Sequence, residues 1–316
     1  MRVLVTGAGG FVGGHLVRAL LARGDEVFAA PPPPHAPPAE VEGARWLPLE
    51  MTSPASLAAA VAEARPERVF HLAAQSSVAE SFADPLGTWE TNATGTLRLL
   101  AALPPGVRLV FVSSSEVYGA VPEEAQPIAE DRPLRPANPY AASKAAAEMA
   151  VLEAAASGRV DAVVARSFTH TGPGQTARFA LASFARQLAR IRAGAEAPVL
   201  RVGNLEARRD YLDVRDVVRA YLLLAERGET GGVYNVCSGE AHSLRELLET
   251  LVGLSGADVR VETDPDLVRP LDIPLLLGDP AALRALGWTP EIPLRQTLAD
   301  LLESAAHGAE PAEAAP

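Results

Sequence analysis

An apolar run, Val3-Leu4-Val5, leads straight into Thr6-Gly7-Ala8-Gly9-Gly10-Phe11-Val12-Gly13, and apolar residues then recur at helical spacing at Phe11, Val12, Leu16, Ala19 and Leu20. Gly24 stops that helix, and residues 26–30 read as a second strand. Strand, glycine turn, helix and strand in this order leave few folds open. Glycines at 7, 10 and 13 permit a tight turn, a close approach of backbone to a pyrophosphate, and close seating of the helix on the strand. Unpaired N–H groups at the helix start add positive potential for phosphates. The opening of the chain therefore predicts a dinucleotide site on a parallel sheet.

The acid that usually reads the adenosine ribose should close the second strand. Pro31 stands there instead, first of the run Pro31-Pro32-Pro33-Pro34-His35-Ala36-Pro37-Pro38. No arginine replaces it for a 2′-phosphate, so NAD and NADP both stay open, and the run itself reads as a stiff surface loop. Further strands are predicted over 45–49, 69–74 and 107–112, and helices over 53–64 and 85–103. Such alternation predicts an α/β fold, a doubly wound parallel sheet covered on both faces. Ligands sit beyond the carboxyl ends of its strands, where 7–13, 73–76 and 113–116 all fall.

The stretch Asn138-Pro139-Tyr140-Ala141-Ala142-Ser143-Lys144 predicts a helix with Pro139 in its first turn. Tyr140 and Lys144 then share one helix face. A phenol can act as general acid, and a neighbouring ammonium is expected to lower its pKa from about 10.

Composition narrows the classes of function. The formal charge of -11 over 316 residues argues against a nucleic-acid footprint, and 48% hydrophobic residues argue against disorder. A single cysteine, Cys237, rules out an internal disulfide or a multi-cysteine metal site. His71, His170 and His242 lack partners at metal-binding spacing, so no metal is expected. No apolar run reaches the roughly 20 residues of a membrane span, and the strand pattern starting at Met1 has no signal peptide before it. A soluble, cytoplasmic protein is expected.

Four stretches together resemble the extended short-chain dehydrogenase/reductase superfamily of nucleotide-sugar enzymes. They are the glycine turn, His71-Leu72-Ala73-Ala74, Ser114-Ser115-Glu116-Val117-Tyr118-Gly119, and Tyr140-Ala141-Ala142-Ser143-Lys144. The second half adds Arg166-Ser167-Phe168-Thr169-His170-Thr171-Gly172-Pro173-Gly174-Gln175, Gly203-Asn204-Leu205-Glu206-Ala207-Arg208-Arg209-Asp210 and Leu267-Val268-Arg269-Pro270. With Gln75-Ser76-Ser77-Val78, these are similar to the GDP-4-dehydro-6-deoxy-D-mannose reductases, which form GDP-D-rhamnose.

The resemblance implies a Rossmann-like sheet with a smaller interleaved α/β substrate lobe. Residues 1–166 and 211–238 would form the cofactor domain and 167–210 and 239–304 the sugar-nucleotide lobe, while 305–316, rich in Ala, Glu and Pro, reads as a disordered tail. It implies Ser114, Tyr140 and Lys144 as catalytic residues, with Glu116 beside them. It places the cofactor at Gly7, Gly10, Phe11, Val12, Gly13, Glu50, Met51, Leu72, Ala73, Ala74, Tyr140 and Lys144. A GDP-sugar would meet Gln75, Ser76, Ser114, Glu116, Thr169, Arg186, Arg209 and Arg269, and a homodimer is usual in the superfamily. Two positions depart from the reductases, which carry asparagine where Thr169 stands and proline where Ser167 stands.

The alternatives are a GDP-mannose 4,6-dehydratase, another nucleotide-sugar 4-epimerase or 4-ketoreductase, and a dinucleotide-sensing protein without turnover. The proline run and Ser77 favour the reductase over the dehydratase, since dehydratases carry an arginine- and serine-rich segment and a histidine there. Glu116 fits either residual dehydratase chemistry or a hydrogen bond to substrate hydroxyls.

Overall fold

The computed structural model describes residues 1–31, 41–267 and 273–307. The proline run beyond Pro31, Arg269 and residues 308–316 lie outside the described residues. In chain order the first half comprises β1 (Arg2–Thr6), α1 (Phe11–Ala22), β2 (Glu26–Ala30), β3 (Arg45–Trp46), α2 (Pro54–Ala64), β4 (Arg68–His71), α3 (Val78–Ala83), α4 (Pro85–Trp89), α5 (Gly95–Ala102), β5 (Arg108–Ser114), α6 (Pro139–Ala156) and β6 (Asp161–Ser167). The second comprises β7 (Thr169–Thr171), α7 (Ala180–Arg192), β8 (Val199–Val202), β9 (Arg208–Asp213), α8 (Val214–Arg227), β10 (Val233–Val236), β11 (Ala241–Ser243), α9 (Leu244–Ser255), β12 (Arg260–Thr263), β13 (Leu275–Leu276), α10 (Ala281–Ala285) and α11 (Leu294–His307).

Seven strands form one parallel sheet in the order β10-β6-β5-β4-β1-β2-β3. Side chains alternate across it, so a strand buried on both faces must be apolar at every position. Val3 and Val5 accordingly join a core beneath α1 and α8 with Phe70, Val110 and Trp288. Leu4, between them, joins the opposite core under α2, α5 and α6 with Phe28, Phe111 and Val151. Each such fully buried side chain contributes about 1.5–3 kcal/mol by leaving water.

The helix expected over 53–64 begins at Pro54, and Ser53 caps it by accepting from Ser56 N–H. The strand expected over 45–49 ends at Trp46. Leu47 N–H still reaches the Ala29 carbonyl at 2.9 Å, the last rung of that ladder. The single helix expected over 85–103 is interrupted by a wider turn at Glu90–Thr94, where Gly95 N–H bonds back to the Glu90 carbonyl five residues earlier. α11 runs to His307, into the stretch expected to be a tail, because Leu298, Leu301 and Leu302 pack into the small lobe.

After β6 the chain builds smaller sheets. β9 pairs with β7, β11 and β13, and β8 pairs with β12, with α7, α9 and α11 forming their core. Between β9 and β11 the chain returns to the main sheet for α8 and β10. Among the described residues no helix is long and apolar enough to cross a membrane.

Candidate active site

The glycine turn joins β1 to α1. Gly7 has φ +73°, and its N–H bonds the Ala30 carbonyl at 2.9 Å, which ties the turn to the end of β2. A Cβ on Gly7 would lie 2.7 Å from Ala73 N, and one on Gly13 would lie 2.2 Å from the Gly7 carbonyl oxygen. Only bare backbone fits at either place. The first turn of α1, Phe11, Val12 and Gly13, presents N–H groups without helical acceptors. Pro31 abuts Gly9, whose added Cβ would stand 3.0 Å from the proline ring. These residues fit a pyrophosphate.

The end of β4 forms the adjoining wall. Ala73 N–H donates to Thr6 Oγ1 at 3.2 Å, and that hydroxyl pairs with His71 Nδ1 at 2.7 Å. His71 Nε2 meets Thr96 Oγ1 at 3.0 Å, so this buried ring ties β4 to β1 and α5. Burial, and then the charge of Lys144, push its pKa down to about 3. No cluster of potential metal ligands occurs among the described residues. Leu72 is half-buried against the α1 core, and Ala74 follows Ala73 at the strand end. Met51 is buried in the core under α2, while half-buried Glu50 accepts from Thr52 Oγ1 at 2.8 Å.

β5 ends at Ser114, and α6 begins one residue before Tyr140. The Tyr140 phenol interacts with the Ser114 hydroxyl. One turn below, Lys144 is 3% exposed, its ammonium nitrogen 4.3 Å from the centre of the Phe111 ring. The structure thus brings the three expected catalytic residues together.

The expected electrostatics is reversed, however. The phenol is pushed up to about 12, chiefly by burial, with Ser114 opposing and the charge of Glu116 adding to the rise. Lys144 is itself pushed down to about 7 by burial, partly offset by Glu148. Desolvation is the largest cause for both groups.

Three supports escaped the sequence reading. Asn92, in the wide turn, accepts from Gln75 N–H at 2.8 Å and donates to the Gln75 carbonyl and to Ser143 Oγ, both at 2.9 Å. It thereby clamps the β4 loop to the helix that carries Lys144. Glu148, fully buried, accepts from Ser113 Oγ at 2.6 Å and from Arg166 Nη2 at 2.6 Å. Asn138 caps α6, its Oδ1 accepting from Ala141 N–H at 2.8 Å. Only the last carried a sequence signal, an asparagine just before a helix-opening proline.

The expected substrate residues spread further. Gln75 keeps a buried Oε1 without a hydrogen-bond partner, and Ser76 beside it is exposed. Glu116 lies in the short turn after β5, and its Oε2 accepts from Asn138 Nδ2 at 3.1 Å. Thr169 lies on β7 in register with Tyr211. The next ring, His170, stacks on Phe11 at 6.2 Å, which sets this segment against the glycine turn. Ser167 shares a buried 2.6 Å hydrogen bond with the Tyr221 hydroxyl, a contact that proline could not make. Arg209 Nη1 donates to the Ile273 carbonyl at 2.6 Å. Arg186 lines an open groove of about 900 Å³ with Arg178, Arg190, Arg201, Arg260 and Leu267; Arg209 is not among its walls. A smaller cavity of about 350 Å³ among α7, α9 and α11 holds none of the expected residues.

A phenol and a serine hydroxyl interact at the end of a central parallel strand, with a buried lysine below and a glycine turn two strands away. Such an arrangement defines a dinucleotide-dependent oxidoreductase of the extended short-chain class. Comparison with known proteins narrows the class. The family model described as GDP-mannose 4,6 dehydratase matches residues 4–301, and the chain belongs to that family. A GDP-6-deoxy-D-mannose reductase from Pseudomonas aeruginosa is 41% identical, over 95% of this chain and 96% of the relative. A GDP-mannose 4,6-dehydratase from Vibrio cholerae is 31% identical, over 95% of this chain and 92% of the relative. The solved structure of RMD from Pseudomonas aeruginosa complexed with NADPH is 39% identical, with a TM-score of 0.83 over 96% of this chain and 97% of that one.

Proposed function

We propose that this protein reduces the C4 keto group of GDP-4-dehydro-6-deoxy-D-mannose to give GDP-D-rhamnose, using NADH or NADPH. The observation that carries ketone reduction is the pairing of Tyr140 with Ser114 above buried Lys144. Kinship with the reductase over nearly the whole chain supports the sugar nucleotide.

Reduction builds negative charge on the carbonyl oxygen, so a site must supply a proton and preplaced donors there. Tyr140 donates the proton, and Ser114 donates a hydrogen bond to the same oxygen. Lys144, one turn below, would in its charged form favour the transient phenolate. The residues at 7, 10–13 and 72–74 would hold the dinucleotide, and the nicotinamide supplies the hydride. Glu116 accepts from a hexose hydroxyl. Arg209 and Arg269 suit bidentate recognition of the diphosphate, and Arg186 would face the nucleotide.

The experiment is product analysis by NMR after supplying GDP-4-keto-6-deoxymannose with NADH or NADPH. Formation of GDP-D-rhamnose is expected; recovery of unchanged keto sugar would overturn the reading. A carboxylate beside Tyr140 favours a second reading, dehydration of GDP-mannose. Accumulation of 4-keto product from GDP-mannose and NADP without reductant would support that one.

Residues 1–166 and 211–238 act in this scheme as the cofactor domain and 167–210 and 239–304 as the sugar-nucleotide lobe, in a cytoplasmic enzyme. The return of α8 and β10 to the main sheet supports that division. A homodimer would cover the apolar side chains that α3–α6 leave in water, Phe82, Leu86, Trp89, Leu97 and Met149.

A further inference from the structure

One side-chain amide at Asn138 does two things. Its Oδ1 accepts from Ala141 N–H at 2.8 Å and closes the first turn of α6, while its Nδ2 donates to Glu116 Oε2 at 3.1 Å. Glu116 sits in the turn that directly follows β5, and its own N–H donates to Ser114 Oγ at 3.2 Å. Its charge is felt at the Tyr140 phenol. The amide therefore links the start of the helix bearing Tyr140 and Lys144 to a carboxylate beside the proton donor.

The residue type matters. Serine, threonine and aspartate cap helices about as well as asparagine does. An amide differs in offering an acceptor to the helix and, at the same time, an N–H to a carboxylate on the other side. Aspartate would set a second negative charge against Glu116, and serine has one atom fewer with which to reach it. A carboxylate has about four acceptor positions, and Asn138 takes one of them. The others stay available to a ligand.

We propose that Asn138 is a positioning residue for sugar recognition: it holds the Glu116 carboxylate in the orientation that accepts a hydroxyl of the hexose whose carbonyl meets Tyr140. This rests on the reading of Tyr140 as the group facing the sugar carbonyl. Asn138 acts through Glu116, so its contribution disappears when Glu116 does.

The test is a double-mutant cycle of Asn138→Ser, Glu116→Ala and the pair, with kcat and KM measured for the 4-keto sugar nucleotide and for NADPH. Asn138→Ser is expected to raise the KM for the sugar nucleotide about 10-fold while the KM for NADPH and the melting temperature hold. In the Glu116→Ala background the same change should add nothing. An Asn138→Ser enzyme equal to wild type, or an effect that multiplies with that of Glu116→Ala, would overturn the proposal. Calorimetric Kd values for GDP-mannose across the same four proteins read the cycle without turnover. A wild-type protein inert towards the keto sugar would therefore sink the reading of Tyr140 and still leave the Asn138 coupling decided.

Discussion

Lys144 and Phe111 meet one turn below Tyr140, the ammonium nitrogen 4.3 Å from the ring centroid. The ring face attracts the cation but does not replace the water it has lost, and Glu148 restores only part of the difference. Lys144 thus titrates at about 7 in the folded protein, against about 10.4 in the unfolded chain. Between those values the unfolded chain holds the extra proton, so stability should rise with pH from about 7 to about 10. Thermal melts of wild type and Lys144→Met across that window should show the rise in wild type alone, with the variant more stable below pH 7 yet without turnover.

His71 predicts the acid side. It is 1% exposed, and its pKa lies at about 3 against an ordinary 6.5. The unfolded chain takes up a proton as pH falls through about 6.5 while the folded protein stays neutral, so stability is lost from there down to about 3. Between pH 7 and pH 5 the loss from this group is about 2 kcal/mol. Denaturant titrations at those two pH values should show that difference in wild type and a much smaller one in His71→Gln.

Tyr140→Phe should remove the proposed proton donor and little else, since the ring keeps its place at the start of α6. Turnover is expected to fall by about 10²–10⁴-fold. NADPH affinity, followed by its fluorescence, should stay within about twofold, because the pyrophosphate cradle and Lys144 are untouched. Near-normal turnover would remove Tyr140 from the mechanism.

Leu86 is 82% exposed on α4 and Leu97 53% exposed on α5. Placing a charge at either, as in Leu86→Glu or Leu97→Glu, should shift sedimentation from dimer to monomer while circular dichroism holds. Monomeric wild type at micromolar concentration would overturn the proposed dimer.

Much of the fold was legible because its signals are local. Strands buried on both faces must be apolar throughout, as at Val3 to Val5, and Gly7 and Gly13 announce a turn that no Cβ could enter. Tyr140 and Lys144 were legible as a pair because four-residue spacing places two side chains on one helix face.

What stayed hidden depends on contacts distant in sequence. Residues 85–103 look like one helix until Asn92 turns inward to Gln75 and Ser143, and helical periodicity alone does not foretell a turn one residue wider. Glu148 looks like one more charge on an alanine-rich helix until Ser113 and Arg166 close over it. The sign of the Tyr140 shift was misjudged because spacing reveals a neighbouring charge but not the depth at which both groups lie.

The main sheet carries a consequence for how the protein is made. Its edge strand β10, Val233–Val236, pairs with β6 only after β7 to β9 and α8 have been synthesised. While the ribosome works through that stretch, β6 keeps an unpaired edge, and a nascent chain arrested before Val233 exposes a ready template for another chain. The half of the molecule that begins first is completed late, and its vulnerability to aggregation is a matter of translation timing.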